Sequence, residues 1–528
     1  MIGRFIEKIN NIKDSHFQCG VLSIFLLQTL FELDGNIYEF LNQFNIPRPS
    51  TVFHLIIIPC VILLVFIRNE KRKKSTLVIF GSYLVALGVY FILHCINAAS
   101  VRNELYLTGN FIYNHFQEFV YVYTLVIPYF LIYAFYRTNL NEKSVLNAIL
   151  LSSLLISFLI LLGNIFLFGE STYNPFGTKA PFYTWFMGIY DDVHPRDLAS
   201  KFFFPEGNTL GIYQFVILPI LYFIFEKATE RKEKMVAAFA VVLQSLAMVI
   251  LATRVATYGT ILMPVVSLAL WILFVLMKHI KFSWNMPIFC VAMFCAMSMI
   301  YPFTPAYVNQ KLDSENNFFV KENQLLSAAI GEGYHENYSK YDPALVYAFL
   351  VYGIEGKLMS ATPEEYYLYF YDYRHDPSFW WHMLTEVPFE QRVNGRQVQT
   401  HFNNYKWSET NTYTKFMGMG YSTFMNGSFL LERDFAQQMY TLGYVGDTLT
   451  LGPWIALALA GIIGILKDFK KKFTFKNMIF AVSFCAGIGA SYMSGHTLDQ
   501  YLTTILMSLI VSVLLQSIFG KESAGELE

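Results

Sequence analysis

The chain has 528 residues, of which 55% are hydrophobic and only 15% are charged. Soluble domains carry about a quarter charged residues, so this composition excludes an ordinary soluble protein. The formal net charge of −1 does not by itself indicate a partner. We expect contact with membrane lipid and none with nucleic acid.

The apolar residues lie in blocks of about twenty, which is the length that a helix needs to cross about 30 Å of hydrocarbon. The ten-residue alternating pattern of a membrane β-barrel is absent. We therefore predict an all-α polytopic membrane protein with about 12 transmembrane helices. The predicted spans are 17–34, 51–67, 76–96, 116–136, 144–168, 208–225, 235–252, 256–277, 283–302, 449–466, 477–495 and 500–519.

Lys and Arg in the short connections predict the orientation of these spans. With the N-terminus inside, 22 of the 38 basic residues lie on the cytoplasmic side, and twelve spans return the C-terminus to that side. This orientation places one large extracytoplasmic loop, 303–448, between the ninth and tenth spans. It divides the chain into 1–302, 303–448 and 449–528. None of the six cysteines lies in the loop, so we expect no disulfide there.

An aromatic stretch in the loop, 363–381, reads PEEYYLYFYDYRHDPSFWW and is predicted to be amphipathic. Its rings are of a kind that stacks on sugars, and also of a kind that rests at the lipid headgroups. The sequence leaves both interpretations open.

Arg254 lies between the seventh and eighth spans at the predicted extracytoplasmic edge, with apolar sequence on both sides. A guanidinium there fits phosphate oxygens, although an arginine that reaches to the lipid headgroups gives the same pattern. Gly207 and Asn208 begin the sixth span, where free backbone N–H groups can bind an anion and an asparagine can cap the helix.

The end of the large loop holds further candidates. Arg392 and Arg396 lie in RVNGR, Gly418 and Gly420 in KFMGMGYSTF, and Glu432, Arg433 and Asp434 at the predicted start of an amphipathic helix. Acidic residues at that position also suit the helix dipole, which is a sufficient structural explanation for them.

The order of these motifs resembles the O-antigen ligase and polymerase superfamily of membrane glycosyltransferases. The family pattern has a Gly-Asn motif followed by Leu-Gly, to which GNTLG (207–211) is similar, and two spans later a basic motif, to which ATRVATYG (252–259) is similar. A large outside loop then carries Gly-Arg, Gly-x-Gly and a closing Gly-x-x-Gly, as do Gly395-Arg396, Gly418–Gly420 and Gly443–Gly446. The resemblance covers about 200–465.

One position departs from the lipopolysaccharide ligases, which have a histidine about eleven residues before the first glycine of the last motif. Glu432 stands there in this chain, with Asp434 two residues later. This acidic pair resembles a Gram-positive-type branch, associated with teichoic acid and capsule-like polymers.

The resemblance implies a metal-independent, cofactor-independent, inverting glycosyltransferase of the bacterial plasma membrane, with its active site facing outside. It would move a glycan from an undecaprenyl-diphosphate-linked donor to a hydroxyl of a glycan or glycolipid acceptor. Arg254 and Arg396 would hold the diphosphate, helped by Arg392, Gly207 and Asn208. Glu432 would be the base, with Asp434 as its alternate. We expect Arg254, Arg396 and Glu432 to line one cavity.

Three other functions stay open. The first is a repeat-unit polymerase, which uses the same donor and differs from a ligase in its acceptor. The second is a twelve-span solute transporter, which usually has internal repeats and ionisable residues at the bilayer midplane. The third is a non-catalytic scaffold for envelope assembly.

Overall fold

The computed structural model describes residues 12–44, 46–68, 74–173, 176–315, 364–388, 391 and 395–520. These residues form helices joined by turns, and among them there is no β-strand, only two isolated bridges from Glu170 to Gly177 and to Phe202. The predicted class, an all-α polytopic membrane protein, is confirmed.

The helices are numbered in chain order. The first twelve are α1 (Asp14–Phe31), α2 (Tyr38–Gln43), α3 (Pro49–Val52), α4 (Ile58–Arg68), α5 (Lys74–Glu104), α6 (His115–Thr138), α7 (Glu142–Ile165), α8 (Gly207–Lys227), α9 (Arg231–Leu251), α10 (Arg254–Leu276), α11 (Asn285–Ile300) and α12 (Pro305–Glu315). The others are α13 (Pro377–Thr385), α14 (Gly395–Glu409), α15 (Thr412–Met417), α16 (Tyr421–Asn426), α17 (Asp434–Lys467), α18 (Phe469–Lys472), α19 (Phe475–Met493) and α20 (Tyr501–Phe519). Short 3₁₀ segments cover Glu32–Ile37, Phe182–Met187, Ile189–Asp191, Pro195–Leu198 and Tyr301–Phe303, and π-helical turns cover Phe53–Ile57 and Tyr366–Phe370.

Within the described residues, eleven helical segments are long and apolar enough to cross a membrane, and they match eleven of the twelve predicted spans. The remaining predicted span, 477–495, corresponds to α19, which is a helix of 19 residues but is not one of the eleven. Small and polar residues interrupt the apolar sequence of α19 and are buried in it, namely Asn477, Ser483, Gly487 and Ser491. The direction in which the spans cross stays a prediction.

Two helices extend well beyond their predicted boundaries. The third predicted span, 76–96, is part of α5, which has 31 residues and continues to Glu104. The tenth, predicted at 449–466, is part of α17, which begins at Asp434 and is broken at Gly443, where φ is 69° and ψ is 177°. Apolar sequence alone did not reveal the extension of α5, because its added turns carry polar residues, whereas the first turns of α17 correspond to the amphipathic helix predicted before the tenth span.

The described chain divides into two compact units. The bundle unit comprises Met1–Arg72, Thr124–Gln310 and Pro453–Glu528, and the loop unit comprises Lys73–Tyr123 and Lys311–Gly452. In the bundle unit α8 is the central helix, packed by α7, α9, α10, α19 and α20, and most of its side chains are buried. The loop unit combines the described part of the large loop with α5 and the first turns of α6.

An aromatic core stabilises the loop unit. Rings from distant parts of the chain meet in it, as Phe402 does with Phe429, at 3.9 Å between ring centroids. Tyr371, Trp380 and Trp381 of the aromatic stretch are also buried in this core. Both sequence interpretations of that stretch are therefore wrong for these rings, which pack inside protein. The core has no disulfide, because all six cysteines of the chain are free thiols.

Candidate functional site

Two glycines of the GNTLG motif allow close helix packing in the bundle unit. A Cβ on Gly207 would lie 2.4 Å from Cγ2 of Thr172, and a Cβ on Gly211 would lie 2.5 Å from Oγ1 of Thr253. Neither position has room for a side chain. The second contact presses the start of the second turn of α8 against the N-terminal end of α10.

Asn208 does not cap α8, contrary to one of the sequence interpretations. The cap position is Glu206, which makes no side-chain cap hydrogen bond, and Asn208 is the second residue of the helix. The hydroxyl of Thr209 donates to Glu206 Oε2 at 2.9 Å. Asn208 is half-buried in the first turn. Capping therefore does not explain the asparagine.

Arg254 is the first residue of α10 and is exposed. The preceding Thr253 caps the helix, because its hydroxyl oxygen accepts from the Ala256 N–H. Ala252 makes the tight turn from α9 with a left-handed backbone, at φ 56°, and its carbonyl accepts from the Tyr173 hydroxyl at 2.8 Å. A cation at a helix N-terminus is electrostatically unfavourable, so the stability of α10 does not account for Arg254.

The N-termini of α8 and α10 therefore lie side by side at one end of the bundle unit. Each leaves backbone N–H groups without partners in its own helix, and the dipole of each favours an anion there. The structure thus brings the helix ends that carry Asn208 and Arg254 together, as one part of the predicted site requires.

In the loop unit the structure brings Arg396 and Glu432 into direct contact. The guanidinium Nη2 of Arg396, the second residue of α14, forms an ion pair with Glu432 Oε2. Their side chains are 53% and 34% exposed, so solvent reaches both. Gly395 packs on Tyr366, where an added Cβ would lie 2.5 Å from the hydroxyl. Burial, with the carboxylates of Glu365 and Glu432 nearby, raises the pKa of Tyr366 to about 12, so this phenol stays protonated.

The two acids at the start of the amphipathic helix have different positions. Asp434 is the first residue of α17 and is 1% exposed, whereas Glu432 lies two residues before the helix. The predicted helix-dipole explanation therefore applies to Asp434 and not to Glu432. Arg392, the predicted helper, lies outside the described residues.

The Gly-x-Gly segment 418–422 has no free amide to offer to an anion. Its five N–H groups donate inside the loop unit, Gly418 to Thr414 O, Met419 to Tyr440 O, Gly420 to Thr441 O, and Tyr421 and Ser422 to the carboxylate of Glu118. Gly418 and Gly443 also have positive φ, and a Cβ on Gly443 would lie 2.4 Å from Gly418 N. The two glycine motifs therefore pack against each other.

His94 and Glu118 hold this segment in place, and sequence reasoning missed both. The His94 side chain lies between two acceptors, with Nδ1 2.6 Å from Met417 O and Nε2 2.8 Å from Glu118 Oε1. Both side chains are fully buried. Two backbone N–H groups, of Tyr421 and Ser422, also donate to the Glu118 carboxylate, so this buried side chain connects α6 to the glycine segment and to His94. The available signal was an ionisable residue within an apolar block.

A second pair that sequence reasoning missed lies in the bundle unit, on the turn between α19 and α20. Nδ1 of His496 lies 3.0 Å from Oδ2 of Asp499. Their side chains are 20% and 6% exposed. The only advance signal was the local sequence, GHTLD, between two apolar blocks.

Comparison with known protein families gives one finding over nearly the whole chain. The model of the family described as "O-antigen ligase like membrane protein" matches residues 17–520. No curated protein with a similar sequence was found. The family match extends the resemblance from the motifs of 200–465 to the first five spans and to the last two.

Proposed function

Because the chain belongs to the O-antigen ligase-like membrane protein family, we propose that it transfers a glycan from an undecaprenyl-diphosphate-linked donor to an acceptor hydroxyl. Family membership supports a ligase or polymerase role for this multi-pass membrane protein. In our proposal the reaction takes place at the extracytoplasmic face of a bacterial plasma membrane. The observation that carries it is the position of Arg254 on one of two adjoining helix N-termini.

Arg254 stabilises the departing diphosphate in this proposal. When the bond from the anomeric carbon to the phosphate oxygen breaks, negative charge builds on the diphosphate. The planar guanidinium can donate two parallel hydrogen bonds to phosphate oxygens, and the N-termini of α8 and α10 add dipoles of the favourable sign. Groups of this kind, fixed before the reaction, are worth about a hundredfold to a thousandfold in rate each. Gly207 and Asn208 would contribute from the first turn of α8.

Arg396 and Glu432 supply the second part of the proposal. Glu432 is the candidate base for the acceptor hydroxyl, with Asp434 as its alternate, and Arg396 is a second diphosphate ligand. Their ion pair sets a condition, because Glu432 Oε2 contacts the Arg396 guanidinium and must leave it to reach an acceptor hydroxyl. Binding of the donor diphosphate to Arg396 would release Glu432. Attack opposite the leaving diphosphate would invert the anomeric carbon.

We further propose a ligase of the Gram-positive type, which delivers a finished teichoic acid or polysaccharide to its anchor. The acids at Glu432 and Asp434 support this choice over a lipopolysaccharide ligase. A repeat-unit polymerase is the second candidate, and the family match favours both equally. Deletion separates them, since long chains left on the lipid carrier indicate a ligase and the loss of all long chains indicates a polymerase.

The test of the proposal is reconstitution of the purified protein with undecaprenyl-diphosphate-linked glycan from its host. We expect wild type to consume the donor and release undecaprenyl diphosphate, and Arg254→Ala to slow this by about a hundredfold or more. Arg231→Ala is the matched control, because Arg231 is also an exposed first residue of a helix. It lies at the other end of α9, about 30 Å away along 21 residues.

Two outcomes would contradict the proposal. Donor that is never consumed, with any acceptor offered, favours a transporter or a scaffold. An equal and small effect of Arg231→Ala and Arg254→Ala would mean that Arg254 only reaches to the lipid headgroups.

A further inference from the structure

The connection that contains α18, between α17 and α19, has a high density of positive charge. Residues 467–476 read KDFKKKFTFK, with five lysines and a single acid. Three of these lysines, Lys467, Lys470 and Lys471, are exposed, and none of them takes part in an ion pair among the described residues. Their charges are therefore available to a partner outside the bundle unit.

The other two lysines fix the connection to the bundle unit. Lys476 Nζ lies 2.8 Å from Glu142 Oε2, at the start of α7. Lys472 Nζ donates to the carbonyl of Ser517, near the end of α20, at 3.1 Å. The connection thus has an inner side that is bonded to neighbouring helices and an outer side that carries exposed cations. The arrangement of those cations exists before any ligand binds.

A second basic turn lies beside this connection, between α10 and α11. The ring of Phe473 lies 5.1 Å from the ring of Phe274, in the last turn of α10. Lys278 and Lys281 follow in that turn, and both are exposed and without an ion pair among the residues that the structure describes. The predicted orientation places both basic segments on the cytoplasmic side. Together they bring five exposed, unpaired lysines to one end of the bundle unit.

Exposed aromatic rings accompany these lysines. Phe469 is exposed and stacks on Phe473, with 4.5 Å between the ring centroids. Trp284, at the start of α11, is 68% exposed and packs against Phe282. Lysines together with exposed aromatic rings at the ends of apolar helices are typical of a protein surface at the level of the lipid headgroups. Anionic headgroups attract cations at that level.

We propose that this lysine patch binds the headgroup phosphates of anionic phospholipids. Its members are Lys278, Lys281, Lys467, Lys470 and Lys471. The exposed rings of Phe469 and Trp284 favour a lipid over a soluble anion, because a lipid covers them as its phosphate meets the lysines. The patch lies at the other end of α10 from Arg254, about 35 Å away along 23 residues. The inference therefore does not depend on the proposed function.

A basic connection alone would not support this inference, because basic connections are common on the cytoplasmic side of membrane proteins. The connection between α8 and α9 shows the difference. Residues 226–234 read EKATERKEK, in which three acids accompany four basic residues. Such a segment has little net charge to offer to an anion. The lysine patch has one neighbouring acid, Asp468, for its five unpaired cations.

The experiment uses the exposed Trp284 as a reporter. The full-length protein is reconstituted in phosphatidylcholine vesicles that contain phosphatidylglycerol, and bromine atoms, which quench tryptophan fluorescence on contact, are placed on the acyl chains of either lipid. We expect brominated phosphatidylglycerol to quench wild type more than an equal fraction of brominated phosphatidylcholine does. This excess should disappear in Trp284→Phe, and in wild type it should decrease at high salt.

The double variant Lys470→Gln/Lys471→Gln tests the patch itself. Since each lysine near an anionic surface is worth about fivefold in binding, the preference for phosphatidylglycerol should fall by about fivefold or more. The matched control is Arg231→Gln/Lys232→Gln, which removes the same charge from two exposed residues at the start of α9, on the same predicted side. We expect the control to keep the preference of wild type.

Three outcomes would overturn the inference. Equal quenching of wild type by the two brominated lipids would mean that the patch does not select anionic lipid. An equal loss of preference in both double variants would mean that the total charge of this side attracts the lipid, and not the patch. Excess quenching that persists in Trp284→Phe would place the lipid elsewhere. Each readout is independent of donor consumption, so failure here leaves the proposed function untouched.

Discussion

The bundle unit and the loop unit both contain glycine motifs and charged residues, yet they use them differently. In the loop unit the amides of the glycine segment and several charged side chains satisfy one another. The amides of 418–422 all have partners, Arg396 is paired with Glu432, and the buried Lys406 is paired with Asp376 and Glu409. The amides and Lys406 serve the stability of the unit, whereas the exposed pair of Arg396 and Glu432 keeps the roles proposed above.

The bundle unit has polar groups whose positions helix stability does not explain. Arg254 stands at a helix end where its charge is unfavourable, and Asn208 lies in the first turn of α8 without capping it. The comparison teaches that a family motif identifies a place in the fold and not a role. The predictions below test whether the loop unit is structural and the bundle unit chemical.

The largest effect is expected from Gly418→Ala. An added Cβ would lie 2.2 Å from Thr441 O and 2.4 Å from the carbonyl carbon of Leu442, and φ of Gly418 is +92°. Backbone atoms cannot move aside as a side chain can, so we expect a loss of about 4 kcal/mol or more in the free energy of unfolding, or no folded protein. Yield and thermal unfolding in detergent measure this.

Gly489→Ala is the control for that substitution, because nothing lies within 4 Å of its Cβ position. It lies within helix α19 of the bundle unit, and alanine should be neutral or slightly stabilising there. A Gly418→Ala protein as stable as Gly489→Ala would show that the two glycine motifs do not pack as described.

The next effect in size is that of Glu118→Ala. It removes one partner of a fully buried His–Glu pair and leaves the His94 ring and two backbone N–H groups without this acceptor. Loss of one member of such a pair costs about 3–5 kcal/mol. Thermal unfolding should reveal the loss, and Glu386→Ala, in the exposed pair with His382, should change the melting temperature little. Equal melting temperatures for both variants would contradict a stabilising role for the buried pair.

A smaller effect depends on pH and involves Asp376. Burial alone raises its pKa, but the Lys406 ammonium and hydrogen bonds from Phe379 N–H and the Tyr371 hydroxyl lower it more, and the net pKa is below the ordinary 3.8. A depressed pKa gives stability that is complete well above pH 3.8 and is lost as the pH falls below that value. Melting curves from pH 6 to pH 3 should therefore decline less for Asp376→Asn. A decline as steep as in wild type would contradict this contribution of the Asp376 carboxylate to stability.

The smallest effect on stability is expected at Arg396 and Glu432. Their side chains are 53% and 34% exposed, and exposed ion pairs contribute about 0.2–1 kcal/mol. A double-mutant cycle with Arg396→Ala and Glu432→Gln measures the coupling by thermal unfolding, and donor consumption by the same variants measures their role in activity. Suppose that the coupling free energy between the two residues is near zero for unfolding but large for the rate of donor consumption. The pair would then have a role in the reaction, and the contrast between the units would be weaker.

Sequence predicted the spans well, because a block of twenty apolar residues has few alternatives to a helix in lipid. It also assigned Arg396 and Glu432 to one site from the family order of their motifs, and the structure shows these two residues in contact, while their roles stay predictions. It did not reveal what those motifs do. The Gly-x-Gly segment packs against Gly443 through contacts between distant residues, and such contacts leave no local pattern.

The misses have a common physical cause. Sequence reasoning missed two hydrogen-bonded pairs, His94 with Glu118 and His496 with Asp499. A hydropathy profile does not show which residues pair with each other. The aromatic stretch was misread for a similar reason, since Tyr371 and Trp380 are buried by residues from α14 and the 424–431 segment. That the bundle-unit and loop-unit candidates form a single cavity stays a prediction.

The length of α5 has a consequence for the lipid that the protein requires. Its 31 residues span about 46 Å, against about 30 Å of hydrocarbon in an ordinary bilayer. His94, which binds the 417–422 segment, lies twenty residues after Lys74, or about 30 Å along the helix. With the start of α5 at one surface, the acyl-chain length determines whether this histidine lies level with the headgroups or within the hydrocarbon. We therefore expect activity to depend on bilayer thickness. Turnover should be fastest in membranes whose apolar thickness equals the distance from Lys74 to His94 along α5, about 30 Å.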